Sequence, residues 1–403
     1  MNKQTNTPEL RFPEFDEEWK KRKLGEVVNY KNGGSFESLV KNHGVYKLIT
    51  LKSVNTEGKL CNSGKYIDDK CVETLCNDTL VMILSEQAPG LVGMTAIIPN
   101  NNEYVLNQRV AALVPKQFID SQFLSKLINR NQKYFSVRSA GTKVKNISKG
   151  HVENFNFLSP NYTEQQKIGN FFSKLDRQIE LEEEKLELLE QQKRGYIQKI
   201  FSQDLRFKDE NGNSYPDWSI KKIEDISKVN KGFTPNTKND KYWDELNENW
   251  LSIAGMTQKY LYKGNKGINE KGASKHVKVD KDTLIMSFKL TLGKLAIVKE
   301  PIYTNEAICH FVWKESNVNT EYMYYYLNSI NISTFGAQAV KGVTLNNDAI
   351  NSIIVKLPVI QEQNKIAYFF NKLDKLIEKQ SSKVELLKQR KQGFLQKMLI
   401  KSV

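Results

Sequence analysis

EQQKIGNFFSKLDRQIE at residues 164–180 is written a second time as EQNKIAYFFNKLDKLIE at residues 362–378. Eleven of the seventeen positions are identical, and the offset is 198 residues in a chain of 403. A period of that length is too long for a solenoid of short repeats. The repeat therefore predicts that one structural unit has been duplicated within the chain.

The similarity extends beyond this segment in both directions. The motif LRF at residues 10–12 recurs at 205–207, and TLVMIL from Thr79 matches TLIMSF from Thr283. LNQRVAALV from Leu106 aligns with TNEAICHFV from Thr304. Similarity is high at the edges of each unit and low in its interior, which indicates a shared frame around different interiors.

Each copy of the repeated segment is predicted to begin a long helix. Its apolar residues follow one another at alternating steps of four and three, which is the spacing of a heptad seam. The predicted helix-pair interface consists of Ile168, Phe172, Leu175, Ile179, Leu186, Leu189, Ile366, Phe370, Leu373, Ile377, Val384 and Leu387. Polar residues interrupt both seams at matching positions, Glu182 with Gln380 and Lys193 with Lys391, and are expected to fix the register. Thr163 resembles an N-terminal cap.

Connectivity favours an antiparallel pair of helices. The first helix leads almost directly into Leu205, so the second helix should run back along it, and the N-terminal LRF motif should lie beside the C-terminus. The predicted fold is α+β, with two similar mixed α/β domains joined by two long antiparallel coiled-coil helices, pseudo-twofold symmetric and cyclic in space. The predicted boundaries are 1–160 and 204–357 for the domains, and 161–203 and 358–403 for the helices.

The interiors contain short runs typical of strands and helices. The strand-like runs are VYKLITL (45–51), DTLVMIL (78–84), VGMTAII (92–98), NWLSIAG (249–255), DTLIMSF (282–288) and GKLAIVK (293–299). The helical patterns are SQFLSKLINRNQKYF (121–135) and NTEYMYYYLNSI (319–330).

The charge balance indicates an anionic partner. The chain has 60 Lys and Arg against 46 Asp and Glu, a formal charge of +14, and a basic surface of this kind is typical of nucleic-acid binding. Basic residues can hold phosphates, while Asn and Gln can recognise adenine edges. The predicted DNA-binding residues are Gln87, Arg109, Lys143, Lys145, Asn146, Lys231, Thr234, Asn236, Lys238, Lys289 and Thr291. The simpler alternative for each one is a solvated loop residue.

Other classes of function find little support in the sequence. Cys61, Cys71, Cys76 and Cys309 form no C-x-x-C pair, so neither a metal site nor a disulfide framework is expected. There is no glycine-rich nucleotide-binding motif, and SPNY at 159–162 lacks the second proline of an adenine methyltransferase motif and is interpreted as a helix entry. No secretory signal or long apolar run is present, which predicts a cytoplasmic protein without a membrane span.

The motifs together resemble the specificity (S) subunit of type I restriction–modification systems, over essentially the whole chain. The resemblance is carried by LRFPEF from Leu10 with its partner LRF, by GFTP and YW between Gly232 and Trp243, and by SFKLTLGKLAI from Ser287. TNEAI from Thr304 and the twice-written E-Q-x-K-I-x-x-F-F-x-K-L-D complete it. The first domain departs from the pattern, with KNGGSFES in place of the GFTP stretch.

This resemblance implies two target recognition domains, each recognising one half of a split DNA sequence, with the helices setting the spacing between the halves. It implies that two methyltransferase (M) subunits dock on the chain and that restriction/translocase (R) subunits join them. S-adenosylmethionine, ATP and Mg²⁺ would then belong to those partners, and this chain would bind no cofactor and carry no catalytic residue. The alternatives are a coiled-coil scaffold that does not recognise DNA and a self-sufficient DNA-modifying enzyme.

Overall fold

The computed structural model of the chain describes residues 6–69, 72–86, 90–141, 145–274, 276–289, 291–339 and 342–400. Two compact units are present. Unit 1 comprises Met1–Glu184 and Ser381–Val403, and unit 2 comprises Lys185–Gln380. The first long helix is Tyr162–Phe201 and the second long helix is Ile360–Met398. Each unit therefore contains one globular part and a portion of both long helices.

Unit 1 is built on a main antiparallel sheet with short helices, and Tyr46–Ile49 pairs in parallel with Tyr104–Leu106 outside that sheet. Its strands are Lys20–Lys23, Val28–Asn32, Tyr46–Ile49, Tyr66–Ile67, Leu80–Ile83, Ser85–Glu86, Thr95–Ile97, Tyr104–Leu106, Val110–Pro115, Lys145–Asn146 and Asn156–Ser159. Its short helices are Leu24–Val27, Glu37–Leu39 (3-10), Ser121–Arg130, Gln132–Arg138 and Lys149–Glu153. The order in the main sheet is Val28–Asn32, Val110–Pro115, Leu80–Ile83 and Thr95–Ile97.

Unit 2 repeats this plan. Its strands are Ser219–Lys222, Ser227–Lys231, Trp250–Leu251, Tyr260–Leu261, Leu284–Ser287, Leu295–Val298, Tyr303–Thr304, Ile308–Trp313, Ala337–Ala339, Gly342–Thr344 and Ile354–Leu357. Its short helices are Ile223–Ile226, Asp240–Tyr242 (3-10), Ile253–Gly255 (3-10), Glu270–Ala273, Thr320–Ser329, Ile332–Phe335 (3-10) and Asn347–Asn351. The main sheet has the same antiparallel order, Ser227–Lys231, Ile308–Trp313, Leu284–Ser287 and Leu295–Val298, with Tyr260–Leu261 added in parallel.

The beginning of each long helix packs into the core of its own unit. In unit 1, Ile168 and Phe172 are buried in one cluster with Phe123 from the helix Ser121–Arg130. In unit 2, Ile366 and Phe370 are buried in the equivalent cluster. Burial of apolar surface of this size is the main force that joins the globular part to the helix.

The two long helices run antiparallel within each unit, as the sequence predicts. In unit 1, Phe171 contacts Phe394 with ring centroids 5.2 Å apart, while Glu183, farther along the first helix, forms an ion pair of 2.7 Å with Lys388. Residue numbers thus fall on one helix as they rise on the other. In unit 2, Phe201 stacks on Phe370 with ring centroids 5.9 Å apart, while Lys193, earlier on the first helix, forms an ion pair of 2.5 Å with Asp374, later on the second.

The predicted meeting of the N-terminal LRF motif with the second long helix is also present. The backbone N–H of Leu10 donates to the carbonyl of Lys397 at 2.9 Å, and Lys397 forms an ion pair with Glu9 at the same distance. Met398 and Leu399 are buried in the core of unit 1 beside Trp19. This contact supports the prediction of a spatially cyclic chain.

Three local predictions need correction. The cap of the first long helix is Asn161, whose side-chain oxygen accepts from the N–H of Glu164 at 2.9 Å, and not Thr163. NWLSIAG forms a strand only at Trp250–Leu251, because the side chain of Asn265 accepts from the N–H of Ser252 and the chain turns into a 3-10 helix. The predicted helix at 121–135 is broken at Asn131, whose side chain bonds the carbonyl of Leu127.

Candidate nucleic-acid interface

Loop cluster 1, defined as residues 32–36, 84–86, 107–109 and 145–146, lies at one end of the main sheet of unit 1. The backbone N–H of Gly34 donates to the carbonyl of Leu106 at 3.1 Å, and that of Leu84 donates to the carbonyl of Arg109 at 3.0 Å. Ser85–Glu86 pairs with Lys145–Asn146 as a short antiparallel ladder. Four segments distant in sequence thus meet at one place.

Asn107 holds this cluster together. It is 3% exposed, its side-chain oxygen accepts from the N–H of Phe36 at 3.4 Å, and its amide donates to Glu37 at 3.2 Å. A Cβ added to Gly33 would lie 1.9 Å from the carbonyl oxygen of Asn107, so only glycine fits there. The hydrogen bond from Asn107 and a nearby Lys65 lower the pKa of the exposed Glu37 carboxyl.

Loop cluster 2, defined as residues 231–234, 287–293 and 305–307 without the undescribed residue 290, occupies the same end of the sheet in unit 2. The backbone N–H of Phe233 donates to the carbonyl of Thr304 at 2.8 Å, and that of Phe288 donates to the carbonyl of Ala307 at 3.0 Å. A Cβ on Gly232 would lie 2.1 Å from the carbonyl oxygen of Thr304 and 2.4 Å from that of Asn305. The repeated Gly and Asn positions therefore build the same tight contact in both units.

A short chain of hydrogen bonds orders the turn of loop cluster 2. The amide of Asn305 donates to the hydroxyl of Thr234 at 2.8 Å, and that hydroxyl donates to the carboxylate of Glu306. The side-chain oxygen of Asn305 accepts from the N–H of Ala307 at 2.8 Å. Both ends of the Asn305 amide are used, which fixes the backbone of the turn.

Cations and aromatic rings surround this turn. The ammonium groups of Lys231 and Lys289 lie 4.5 and 5.6 Å from the ring centroid of the buried Phe288. The exposed His276 stacks on Phe233 with ring centroids 3.6 Å apart. Such cations can hold phosphates, and the rings limit their freedom.

The structure brings most of the predicted DNA-binding residues into these two clusters. Arg109, Lys145 and Asn146 lie in loop cluster 1, and Lys231, Thr234, Lys289 and Thr291 lie in loop cluster 2. All of these are exposed except Thr234, which is half-buried. Contact with DNA stays a prediction for each of them.

The remaining predicted residues are not part of the clusters. Asn236 and Lys238 lie on the adjoining loop, where the side chain of Asn236 accepts from the backbone N–H of Lys238 at 3.0 Å. Gln87 and Lys143 lie outside the described residues. Gln108 and Glu306, which the sequence reasoning did not select, occupy the turn at the centre of each cluster. Their position immediately after the aligned asparagines was the available signal.

The repeated LRF and EQ motifs form the joint between each globular part and its long helix. Arg11 donates to both carboxylate oxygens of Glu164 at 2.7 Å each, and Arg206 donates to those of Glu362 at 3.2 and 2.8 Å. Both glutamate side chains are fully buried. Paired hydrogen bonds of this kind are among the strongest polar contacts in proteins.

The glutamine that follows each of these glutamates ties the helix to a second element. Gln165 accepts from the backbone N–H of Asp120 at 3.0 Å and donates to the carbonyl of Pro160 at 3.0 Å. Gln363 accepts from Asn319 at 2.8 Å and donates to Pro358 at 2.8 Å. Because Asp120 and Asn319 cap the helices of the globular parts, this contact fixes two helices against each other.

The lysines that interrupt the seams form ion pairs with the aspartates of the repeated KLD motif. In unit 1, Asp176 contacts Lys126 at 2.5 Å and Lys391 at 2.6 Å. Burial alone would raise the pKa of Asp176, but these two ammonium groups outweigh it and hold the pKa below its ordinary value of 3.8. In unit 2, Asp374 contacts Lys193 at 2.5 Å. The same reciprocal pairing therefore occurs twice.

The predicted interface residues of the two helices are all buried or half-buried. The buried ones are Ile168, Phe172, Ile179, Ile366, Phe370, Val384 and Leu387. The half-buried ones are Leu175, Leu186, Leu189, Leu373 and Ile377. At the beginning of each helix the seam also packs against the globular core, which heptad spacing alone did not predict.

Comparison with known proteins decides the family. The model of the type I restriction modification DNA specificity domain matches twice, at residues 16–191 and 215–387. The chain belongs to this family. Each match covers one globular part and most of the long helix that follows it, so the duplication in the sequence is a duplication of this domain.

Curated relatives support the same assignment. The MjaIX specificity subunit of Methanocaldococcus jannaschii is 29% identical over 196 residues, and this match covers 46% of this chain and 45% of the relative. The MjaVIII specificity subunit of the same organism is 20% identical over 98% of this chain and 96% of its own length. Both are type I restriction enzymes' specificity subunits by name. The predicted family is confirmed, and with it a DNA-recognition role within a type I restriction–modification system.

Solved structures show the same fold. The S subunit from M. genitalium has a TM-score of 0.63 at 16% identity, covering 98% of this chain and all of that one. A chain from a structure of type I complex assembly and conformational transition has a TM-score of 0.59 at 12% identity and covers 94% of this chain. Within the described part of this chain, no helix is long and apolar enough to cross a membrane, and no group of side chains is arranged to hold a metal.

Proposed function

We propose that this chain is the non-catalytic subunit that selects the DNA target for a type I restriction–modification complex. Each globular part recognises one half of a bipartite sequence through its loop cluster. The observation that carries this proposal is that loop clusters 1 and 2 occupy equivalent positions on equivalent sheets but differ in side chains. A shared frame with different recognition surfaces is what a split and asymmetric target requires.

The long helices would set the distance between the two half-sites. They contain 40 and 39 residues, which corresponds to about 60 Å at 1.5 Å per residue. One turn of B-DNA is roughly 34 Å, so helices of this length suit half-sites separated by one to two turns. The buried ion pairs of Glu164 and Glu362 would hold each globular part, with its recognition loops, rigidly on its long helix.

The long helices would also dock two methyltransferase subunits. Apolar side chains remain exposed on both helices, with Leu181, Leu188, Tyr368, Leu376 and Leu386 between 47% and 63% exposed. Exposed apolar groups on a paired helix are typical of a protein interface. S-adenosylmethionine, ATP and Mg²⁺ would be bound by the methyltransferase and by the restriction/translocase subunits that join them.

Methylation mapping tests the proposal. The chain would be expressed with a methyltransferase subunit of its own system in a host without adenine methylation, and the modified bases would be sequenced. A split motif with a fixed spacer, present only with this chain, is the expected result. An assembled and active complex that methylates no split motif would contradict the proposal and would favour a scaffold. Methylation by this chain alone would contradict its non-catalytic role.

Docking is tested separately by Leu188→Lys, which places a charge on the exposed helix face, with the exposed Glu187→Lys as the matched control. Loss of co-purification with the methyltransferase in the first variant alone is expected. Unchanged co-purification in both would contradict the proposed docking face.

A further inference from the structure

Gln108 and Glu306 stand at equivalent points of the two recognition surfaces. Each follows the asparagine that anchors its cluster and comes two residues before a central strand, Val110–Pro115 or Ile308–Trp313. Both side chains are exposed. Each is thus an exposed polar side chain at the centre of its loop cluster.

The backbone beneath these two residues is fixed. In unit 1 the turn is held by the buried Asn107 and by the close approach of Gly33. In unit 2 both ends of the Asn305 amide are bonded within the cluster. A side chain that discriminates between bases has to be held within a fraction of an ångström of its productive position. The cited contacts fix the backbone from which both side chains project before any DNA arrives.

Their hydrogen-bonding capacity is largely unused within the described part of the chain. The amide of Gln108 makes no hydrogen bond to a described residue. The carboxylate of Glu306 is oriented by the hydroxyl of Thr234 through one oxygen, Oε2, and its other oxygen accepts nothing from the described residues. Glu306 therefore presents an oriented carboxylate with one unused oxygen, and Gln108 presents an unused amide on a fixed turn.

The position of the Glu306 carboxylate among cations limits which groups of DNA it can bind. Lys231 and Lys289 lie in the same cluster as Glu306 and are suited to phosphate contacts. A carboxylate among them repels phosphates and weakens non-specific binding. A hydrogen bond from a base compensates this repulsion, and in the major groove only the amino groups N4 of cytosine and N6 of adenine can donate one.

We propose that Gln108 and Glu306 are equivalent specificity-determining residues, one for each half of the target. Glu306 accepts a hydrogen bond from the exocyclic amino group of a cytosine or an adenine in the major groove. Gln108, which can both donate and accept, pairs with the N6 and N7 edge of an adenine. This inference rests on the proposed function, because it presumes that the loop clusters face DNA.

The first test is methylation mapping of single variants in the co-expressed complex. Glu306→Gln keeps the size and the acceptor for Thr234 but adds a donor, and Gln108→Ala removes both groups. Each is expected to change the preference at one base position of one half-site by roughly 5- to 150-fold and to leave the other half-site unchanged. The matched controls are Glu300→Gln and Gln117→Ala, which should leave the motif unchanged. Both residues are exposed and follow strands of the main sheets, Leu295–Val298 and Val110–Pro115, at the ends away from the loop clusters.

The second test separates base recognition from a general loss of binding. The wild-type complex and Glu306→Gln would be titrated with duplexes of the mapped motif in which each base pair of the half-site is replaced in turn. Reduced discrimination at a single position supports the proposal, whereas an equal loss of affinity for all duplexes overturns it. A wild-type split motif that neither variant alters overturns the inference and leaves the proposed function intact. A wild-type complex without a split motif overturns the proposed function itself.

Discussion

Replacing His310 with alanine is expected to remove most of the acid sensitivity of unit 2 between pH 6.5 and 4. His310 lies on the central strand Ile308–Trp313, is 8% exposed and shares a hydrogen bond with the hydroxyl of Thr304. Burial lowers its pKa from 6.5 to about 4. The equivalent residue of unit 1 is Ala112, which pairs with Val81 as His310 pairs with Ile285.

The sign and size of the effect follow from proton linkage. Below pH 6.5 the unfolded chain binds a proton at His310 and the folded chain does not, so the free energy of unfolding falls as the pH falls. The stability is complete above pH 6.5 and is lost progressively until about pH 4. A pKa difference of about 2.5 corresponds to about 3.4 kcal/mol. At pH 5.5 the expected loss is about 1.4 kcal/mol relative to pH 8.

Urea unfolding followed by tryptophan fluorescence measures this loss. Trp218, Trp243, Trp250 and Trp313 lie in unit 2, so a Trp19→Phe background makes fluorescence report that unit alone. His310→Ala lowers stability at pH 8, because it leaves a cavity in a packed sheet, but its stability should be nearly constant down to pH 4.5. Equal pH dependence in both proteins would refute the assignment of the acid sensitivity to His310.

Three further predictions concern the joints and the core. Arg11→Ala should destabilise unit 1 by about 3 kcal/mol, because it leaves the buried Glu164 without its cation. Arg206→Ala should destabilise unit 2 by less, because Trp218 still donates to Glu362 at 3.0 Å. Equal losses of stability in urea unfolding would contradict this. Asp176→Asn should remove an acid-dependent part of the stability of unit 1. The wild type keeps that part above pH 4 and loses it as the pH falls through the lowered pKa of Asp176. Acid titration followed by circular dichroism checks this, and an unchanged titration would count against it. Burial raises the pKa of the Cys309 thiol to about 12. Mass spectrometry after iodoacetamide treatment should therefore find the exposed Cys76 modified in the folded chain and Cys309 modified only in urea. Labelling of Cys309 without urea would refute this.

The frame of the molecule could be predicted because it is repeated. Heptad spacing and the duplicated segment predicted both long helices, their antiparallel course and the position of the LRF motif. The same method predicted that Lys193 and Lys391 help to fix the register, but it did not identify their partners. Their partners, Asp374 and Asp176, belong to the repeated segment itself. Helical periodicity shows which side of a helix a residue occupies, whereas an ion pair between antiparallel helices also depends on their register.

The candidate site was predicted less completely. A search for basic and amide side chains in loops found Arg109, Lys231 and Lys289, because phosphate binding favours those types wherever they stand. It did not select Glu306, since a carboxylate opposes a basic surface. It selected Asn236, whose side-chain oxygen accepts from the backbone N–H of Lys238 and whose contact with DNA stays a prediction. Base recognition depends on where a side chain is held. That position depends on contacts between segments distant in sequence, such as Gly232 with Thr304.

One contact shows how far local sequence determines this architecture. In unit 2 the chain passes from the first long helix to the LRF motif without interruption, and the N–H of Leu205 donates to the carbonyl of Lys199 at 3.0 Å. In unit 1 the equivalent groups belong to opposite parts of the sequence, yet Leu10 donates to Lys397 at 2.9 Å. The contact forms whether or not the chain runs directly from the end of the helix to the LRF motif. It is therefore specified by the two segments that make it. The duplicated sequence therefore encodes the joint itself, and this explains why similarity concentrates at the edges of each unit while the recognition interiors differ.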